Sequence, residues 1–300
     1  MSYDLYFRTR QGAEAPNMDR LRAYFSQVPH FELKSNSEVY SNEDTGVYFN
    51  FEFTPDTDKN LPPDIEDGNT LPVCFNINYY RPHVFGLEAE PVVSAFIQHF
   101  NLSVSDYQVT GMGEGEYTPL GFLRGWNCGN EVGYKGLLQN EKTAPFPLPA
   151  QQIEVYWKWN YSREEFQESL GDDIFVPRIM FISLGGIVEP VIIWTDGIPT
   201  IIPELNIYLI YRQKTTGFFG KNASFAIINK QQLNTLLSKF QTLECHLPYH
   251  KLEYRNTPKE IESFIKSLPP YQVELKNVTQ DHILDKELVD KYYQSSVSPC

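Results

Sequence analysis

The amino-acid sequence predicts an α+β protein of two mixed domains, with antiparallel-rich sheets and flanking helices. Three observations carry this reading. Short aromatic and β-branched runs, such as residues 3–7 and 46–53, alternate with period two and read as half-buried strands. Segments with helical apolar spacing stand between them, as at Leu21, Tyr24, Phe25 and Val28. Finally, Ala144-Pro-Phe-Pro-Leu-Pro-Ala, with three alternating prolines, stops any helix and divides a domain of residues 1–143 from one of 144–300.

The elements follow in order. Residues 3–7 read as a strand, and Asn17 caps a helix over 18–28. Strands are expected at 31–34, 38–40, 46–53 and 71–80, with a Pro-rich acidic loop over 54–70. A helix over 88–100 places Pro91 in its first turn, where a missing N–H costs little. A strand over 103–109, a glycine loop over 110–116 and a Gly-rich helix over 118–138 complete the first domain. The second is expected to open with short helices at 151–160 and 163–170. A hairpin follows around Gly185-Gly186, with strands at 198–202 and 206–211. After these come a basic loop over 212–222, a strand at 224–228 and helices at 230–240 and 258–268.

The net charge of −13 is unevenly placed: residues 35–123 hold 14 acidic side chains against Lys59 and Arg81. Such a window repels nucleic acid and anionic membrane and attracts a basic protein. No apolar run approaches the length of a membrane span, and the opening residues do not read as a signal peptide. Four dispersed cysteines, Cys74, Cys128, Cys245 and Cys300, predict reduced thiols in a cytoplasm.

No spacing assembles a catalytic, cofactor or metal site. Gly111-Met-Gly-Glu-Gly-Glu follows a strand, but the third glycine of a dinucleotide loop would fall at Glu116, and its carboxylates repel a pyrophosphate. Cys245, His246 and His250 lack a second ligand pair, and Pro248 interrupts them. Cys128 becomes a nucleophile only if a histidine such as His83 or His99 lies beside it. The run Tyr156-Trp-Lys-Trp-Asn-Tyr reads more readily as packing at the domain junction than as a stacking platform.

Several motifs together resemble a group of bacterial proteins associated with type VI secretion and Rhs toxin loci. They are Met1-Ser-Tyr-Asp-Leu-Tyr-Phe, Glu43-Asp-Thr-Gly-Val-Tyr-Phe, Gly111-Met-Gly-Glu-Gly-Glu-Tyr, Gly125-Trp-Asn, Phe175-Val-Pro-Arg-Ile-Met-Phe and Trp194-Thr-Asp-Gly-Ile-Pro. The resemblance spans roughly residues 1–210 and carries over no catalytic residue. It implies an immunity protein that binds a cognate antibacterial toxin and occludes its active site. With the acidic window, it predicts a partner bearing a basic cleft, met by Asp56, Asp58, Asp64, Glu66 and Asp67 and by Glu114 and Glu116. The alternative class is a cytosolic hydrolase or transferase using Cys128 or dispersed carboxylates. A third is an adaptor without a toxin partner.

Overall fold

The computed structural model describes residues 1–34, 36–54, 69–139, 145–215, 221–243, 246–271 and 275–293, with backbone alone at 213–215 and 221–223. It is an α+β protein whose sheets are mostly antiparallel. The chain divides into two compact units: Met1–Ala150 with Asp281–Cys300, and Gln151–Gln280.

In the first unit, β1 (Ser2–Thr9), α1 (Met18–Phe25), β2 (Phe31–Lys34), β3 (Ser37–Ser41), β4 (Tyr48–Phe53) and β5 (Thr70–Asn78) lead to α2 (Val84–Phe100). Then come β6 (Leu102–Asp106), β7 (Gly113–Gly115), α3 (Pro119–Leu138) and β8 (Phe146–Leu148). Seven strands form one sheet in the order β2-β3-β4-β5-β1-β6-β7, every pairing antiparallel. Alternation in β1 buries Tyr3, Leu5 and Phe7 completely. Asn17 accepts the Arg20 N–H at 2.9 Å to start α1, which inserts Leu21 and Phe25. The Phe25 ring lies 4.7 Å from Phe51 and 5.3 Å from Phe96, so aromatic packing joins α1 and α2 to the sheet.

Helix α2 begins at Val84, earlier than the apolar spacing predicts, so Pro91 lies inside it rather than in its first turn. Asn101, at φ 52°, ends it. Buried Glu88 on α2 accepts hydrogen bonds from the Tyr40 hydroxyl, the Asn42 amide and the Thr45 hydroxyl, each at 2.9 Å. A carboxylate thereby ties the helix to the β3–β4 hairpin.

The second unit contains α4 (Ala150–Tyr161), α5 (Arg163–Leu170), β9 (Met180–Leu184), β10 (Ile187–Val191), β11 (Ile193–Thr195), β12 (Thr200–Pro203) and β13 (Ile207–Thr215). It continues through β14 (Lys221–Asn229), α6 (Lys230–Leu237), β15 (Gln241–Leu243), β16 (Tyr249–Leu252), α7 (Lys259–Ser267) and β17 (Lys276–Val278). Its strands form three small sheets, β10-β9-β17, β11-β13-β14 and β12-β16-β15. The β9–β10 hairpin turns at Gly185 and Gly186, whose φ values of 59° and 87° suit glycine. The expected basic loop over 212–222 is in large part strand, since β13 and β14 pair from Ile207 with Asn229 to Thr215 with Lys221. Trp159 is a core residue, its indole N–H donating to the Pro177 carbonyl at 2.9 Å.

The expected division at residue 144 needs correction at its C-terminal side. β18 (Ile283–Asp285) and α8 (Lys286–Tyr292) belong to the first unit, where β18 pairs in parallel with β8 inside the proline-rich stretch. Asp285, 3% exposed, accepts the His83 backbone N–H at 2.9 Å and meets His83 Nδ1 at 2.7 Å. Leu284 and Val289 pack with Tyr134 and Leu138 of α3. Sequence distance gives no hint of this return, because the contacts join residues about 200 positions apart.

Candidate functional site

The glycine loop is built around a buried acid. Asp106, at the end of β6, is 1% exposed and accepts the Tyr3 hydroxyl at 2.6 Å, the Met112 N–H at 3.0 Å and the Gln108 N–H at 3.2 Å. Burial, followed by this hydrogen bond, pushes the Tyr3 phenol well above its ordinary value. Gly111 is glycine because the chain crosses the carboxylate: a Cβ there would lie 2.3 Å from Asp106 Oδ1. Gly111→Ala is expected to cost about 1–3 kcal/mol, the usual penalty of forcing an added methyl into a packed site. Chemical denaturation measures it, and an unchanged midpoint would show that the loop yields freely.

Further contacts fix the rest of the loop. Arg124 of α3 donates to the Thr110 carbonyl at 3.3 Å, and the Tyr117 hydroxyl donates to Glu90 of α2 at 2.9 Å. Thr118 caps α3, accepting the Gly121 N–H at 3.1 Å. Between these anchors, β7 runs along β6 and carries Glu114, and Glu116 follows just after the strand.

Those carboxylates meet two arginines of the β1 strand end. Glu114 lies 2.9 Å from Arg8 and accepts the Tyr107 hydroxyl at 3.3 Å. Glu116 faces Arg10 in a two-pronged pair, with Nη2 2.7 Å from Oε2. The Arg10 hydrogen bond holds the Glu116 carboxyl below its ordinary value, while Arg10 rises. Both acids remain exposed at 53% and 68% of their side chains, so they are presented to solvent as well as paired. An open groove of about 600 Å³ lies along this row, lined among others by Arg8, Asn69, Ser103 and Glu114. A second, of about 350 Å³, is lined by Ser94, Gln98, Asn101 and Tyr117. Arg10 and Glu116 line both, so their ion pair separates one groove from the other. The same loop exposes Tyr107 at 43% and Val109 at 104%, and Leu120 follows at 80%.

The structure thus brings Glu114 and Glu116 together on one built surface. Asp56, Asp58, Asp64, Glu66 and Asp67 lie outside the described residues. Arg8, Arg10 and Asp106 carry no motif. Only the alternation of β1 hints that Arg8 and Arg10 share a side of their strand. The acidic window is also less exposed than its count implies, since Glu38, Glu88 and Asp106 are buried.

The other candidates are placed as follows. Cys128 lies on α3 and makes no hydrogen bond to His83 or His99. His83 bonds Asp285, and the His99 ring packs 4.8 Å from Tyr24. His250 Nδ1 lies 3.2 Å from the Thr242 hydroxyl, and Cys245 falls outside the described residues. Among the described residues, no three His, Cys, Asp or Glu side chains converge as metal ligands, and no helix is long and apolar enough to cross a membrane. No protein-family model matches the chain, and none of the curated proteins or solved structures compared with it is significantly similar.

Proposed function

We propose that the protein is an immunity protein, acting in the cytoplasm, that binds a cognate antibacterial toxin and covers its active site. The observation that carries this reading is the presentation of Glu114 and Glu116 on a loop held at its base by buried Asp106. A preorganised surface loses little conformational freedom on binding. Tyr107, Val109 and Leu120 add apolar anchors to the same segment, and apolar contact beside charged groups is the usual composition of a protein interface.

Pairing with Arg8 and Arg10 changes how this surface would act. Lysines or arginines in the toxin's cleft compete with them for the two carboxylates, and the Arg10 guanidinium, once displaced, can turn to an acid on the partner. Recognition then rests on exchange of ion pairs rather than on excess negative charge alone.

The first test is co-expression with the product of the adjoining reading frame: growth arrest relieved by this protein supports the reading, and unrelieved arrest sinks it. The second is the association rate of that pair. Glu114→Gln/Glu116→Gln is expected to slow capture roughly three- to tenfold, as removal of rim charges usually does. Glu164→Gln/Glu165→Gln, at exposed acids of α5, should leave it unchanged.

A further inference from the structure

We infer that the outer edge of β2 is a self-complementary surface through which two copies of this chain pair, continuing the seven-stranded sheet across a two-fold axis. β2 ends the sheet, with no strand beyond it among the described residues. Its hydrogen-bonding parity follows from the ladder. Residue sums in the β2–β3 register equal that of His30 and Ser41, and the Ser41 N–H donates to the His30 carbonyl at 2.8 Å. In an antiparallel ladder bonded pairs alternate, so Glu32 and Lys34 turn their backbone groups toward β3. Phe31 and Leu33 turn theirs to the open edge. A two-fold axis at Leu33 then lets each copy's Leu33 N–H donate to the other's Leu33 carbonyl.

The side chains select the same register. With Leu33 opposite its copy, Glu32 of each chain stands across from Lys34 of the other, at the closely spaced non-bonded positions. A slip of two residues in either direction sets Glu32 against Glu32 or Lys34 against Lys34. Both side chains are available: Glu32 is 74% and Lys34 61% exposed, and their mutual distance within the strand is a loose 4.0 Å. On the opposite face Leu33 is 57% exposed beside Phe31, whose ring joins the aromatic core 4.8 Å from Phe25. Pairing covers this apolar margin, while charges on the edge exclude indiscriminate strand addition.

Sedimentation velocity over a concentration series tests the proposal, with a Tm measured for each variant. Wild type is expected to show a reversible monomer–dimer equilibrium. Glu32→Lys and Lys34→Glu should each weaken it by about tenfold or more, because a single change replaces both symmetric attractions by repulsions. The double variant Glu32→Lys/Lys34→Glu restores complementarity and should dimerise like wild type. Leu33→Asp should be monomeric. A wild type that stays monomeric at the highest soluble concentration overturns the proposal, as do single and double charge variants that dimerise alike. Failure here leaves the toxin-binding reading intact, since Glu114 and Glu116 lie at the other end of the sheet order.

Discussion

Asp106→Ala is expected to destabilise the first unit by about 3 kcal/mol and to release the 107–118 loop. The side chain is almost wholly buried and satisfies three donors: one phenol and two backbone N–H groups. Removing an acceptor from buried donors costs about 1–3 kcal/mol, and more where the lost group is charged. The Tyr3 hydroxyl would stay buried with no acceptor, because Tyr3 is 0% exposed. Asp106→Asn keeps the shape but turns an amide toward at least one donor, so its cost should fall between wild type and alanine. Hydrogen exchange supplies the local readout: the Met112 amide should lose protection in both variants, while amides of β13 and β14 in the second unit keep theirs. Uniform loss across both units would mean that the acid acts through global stability alone.

The same loop shows what was legible in the sequence. A segment with three glycines after a strand is legible as a turn that interrupts regular structure, because glycine content is a local property. Its architecture is not local. Asp106 meets Tyr3 across 103 residues, and Arg10 meets Glu116 across 106, pairings that no periodicity announces. The strands that alternate cleanly and the cap of the first helix were legible in the same way: Asn17 and the Gly185-Gly186 turn each act through neighbours within three residues or so. The C-terminal return was not legible. β18 is three residues long, and its burial depends on β8 and His83, far away in the chain.

Charge shows a related limit. Counting acids over a window treats every carboxylate as a free surface charge. Here Glu88 serves three donors, Asp106 serves three more, and Glu114 and Glu116 each hold an arginine drawn from outside the window. The acidic excess is real, but the acids at the candidate site act by geometry as much as by sign.

Above pH ~10 the first unit should unfold in a cooperative step before the second. Tyr3, Tyr117 and Tyr134 of the first unit are raised above the ordinary phenol value, in each case first by burial. Nearby carboxylates add to the rise: Asp106 for Tyr3, Glu90 for Tyr117 and Asp285 for Tyr134. In the second unit Tyr208 is pushed up to about 12, again by burial. The sign follows from proton counts. Above the unfolded value of about 10, the unfolded chain has lost these protons while the folded chain keeps them, so stability falls as pH rises. Each group removes about 1.4 kcal/mol per pH unit, so three in the first unit remove about 4, against a typical total of 5–15 kcal/mol. Cys74, also in the first unit and raised by burial, adds a loss of the same sign beginning near pH ~8.5–9. Half-buried tyrosines, Tyr6 and Tyr79 in the first unit and Tyr156 and Tyr254 in the second, act in the same direction, with less effect after solvent screening. The expected observation is a sharp rise in phenolate absorbance between about pH 11 and 12, coincident with loss of near-ultraviolet dichroism, rather than a gradual titration near 10. Peptide-resolved hydrogen exchange should show β1, β5 and α3 opening first while β13 and β14 stay protected. Tyrosines that titrate gradually near pH 10 with the fold retained would show that these phenols are not buried against carboxylates as described.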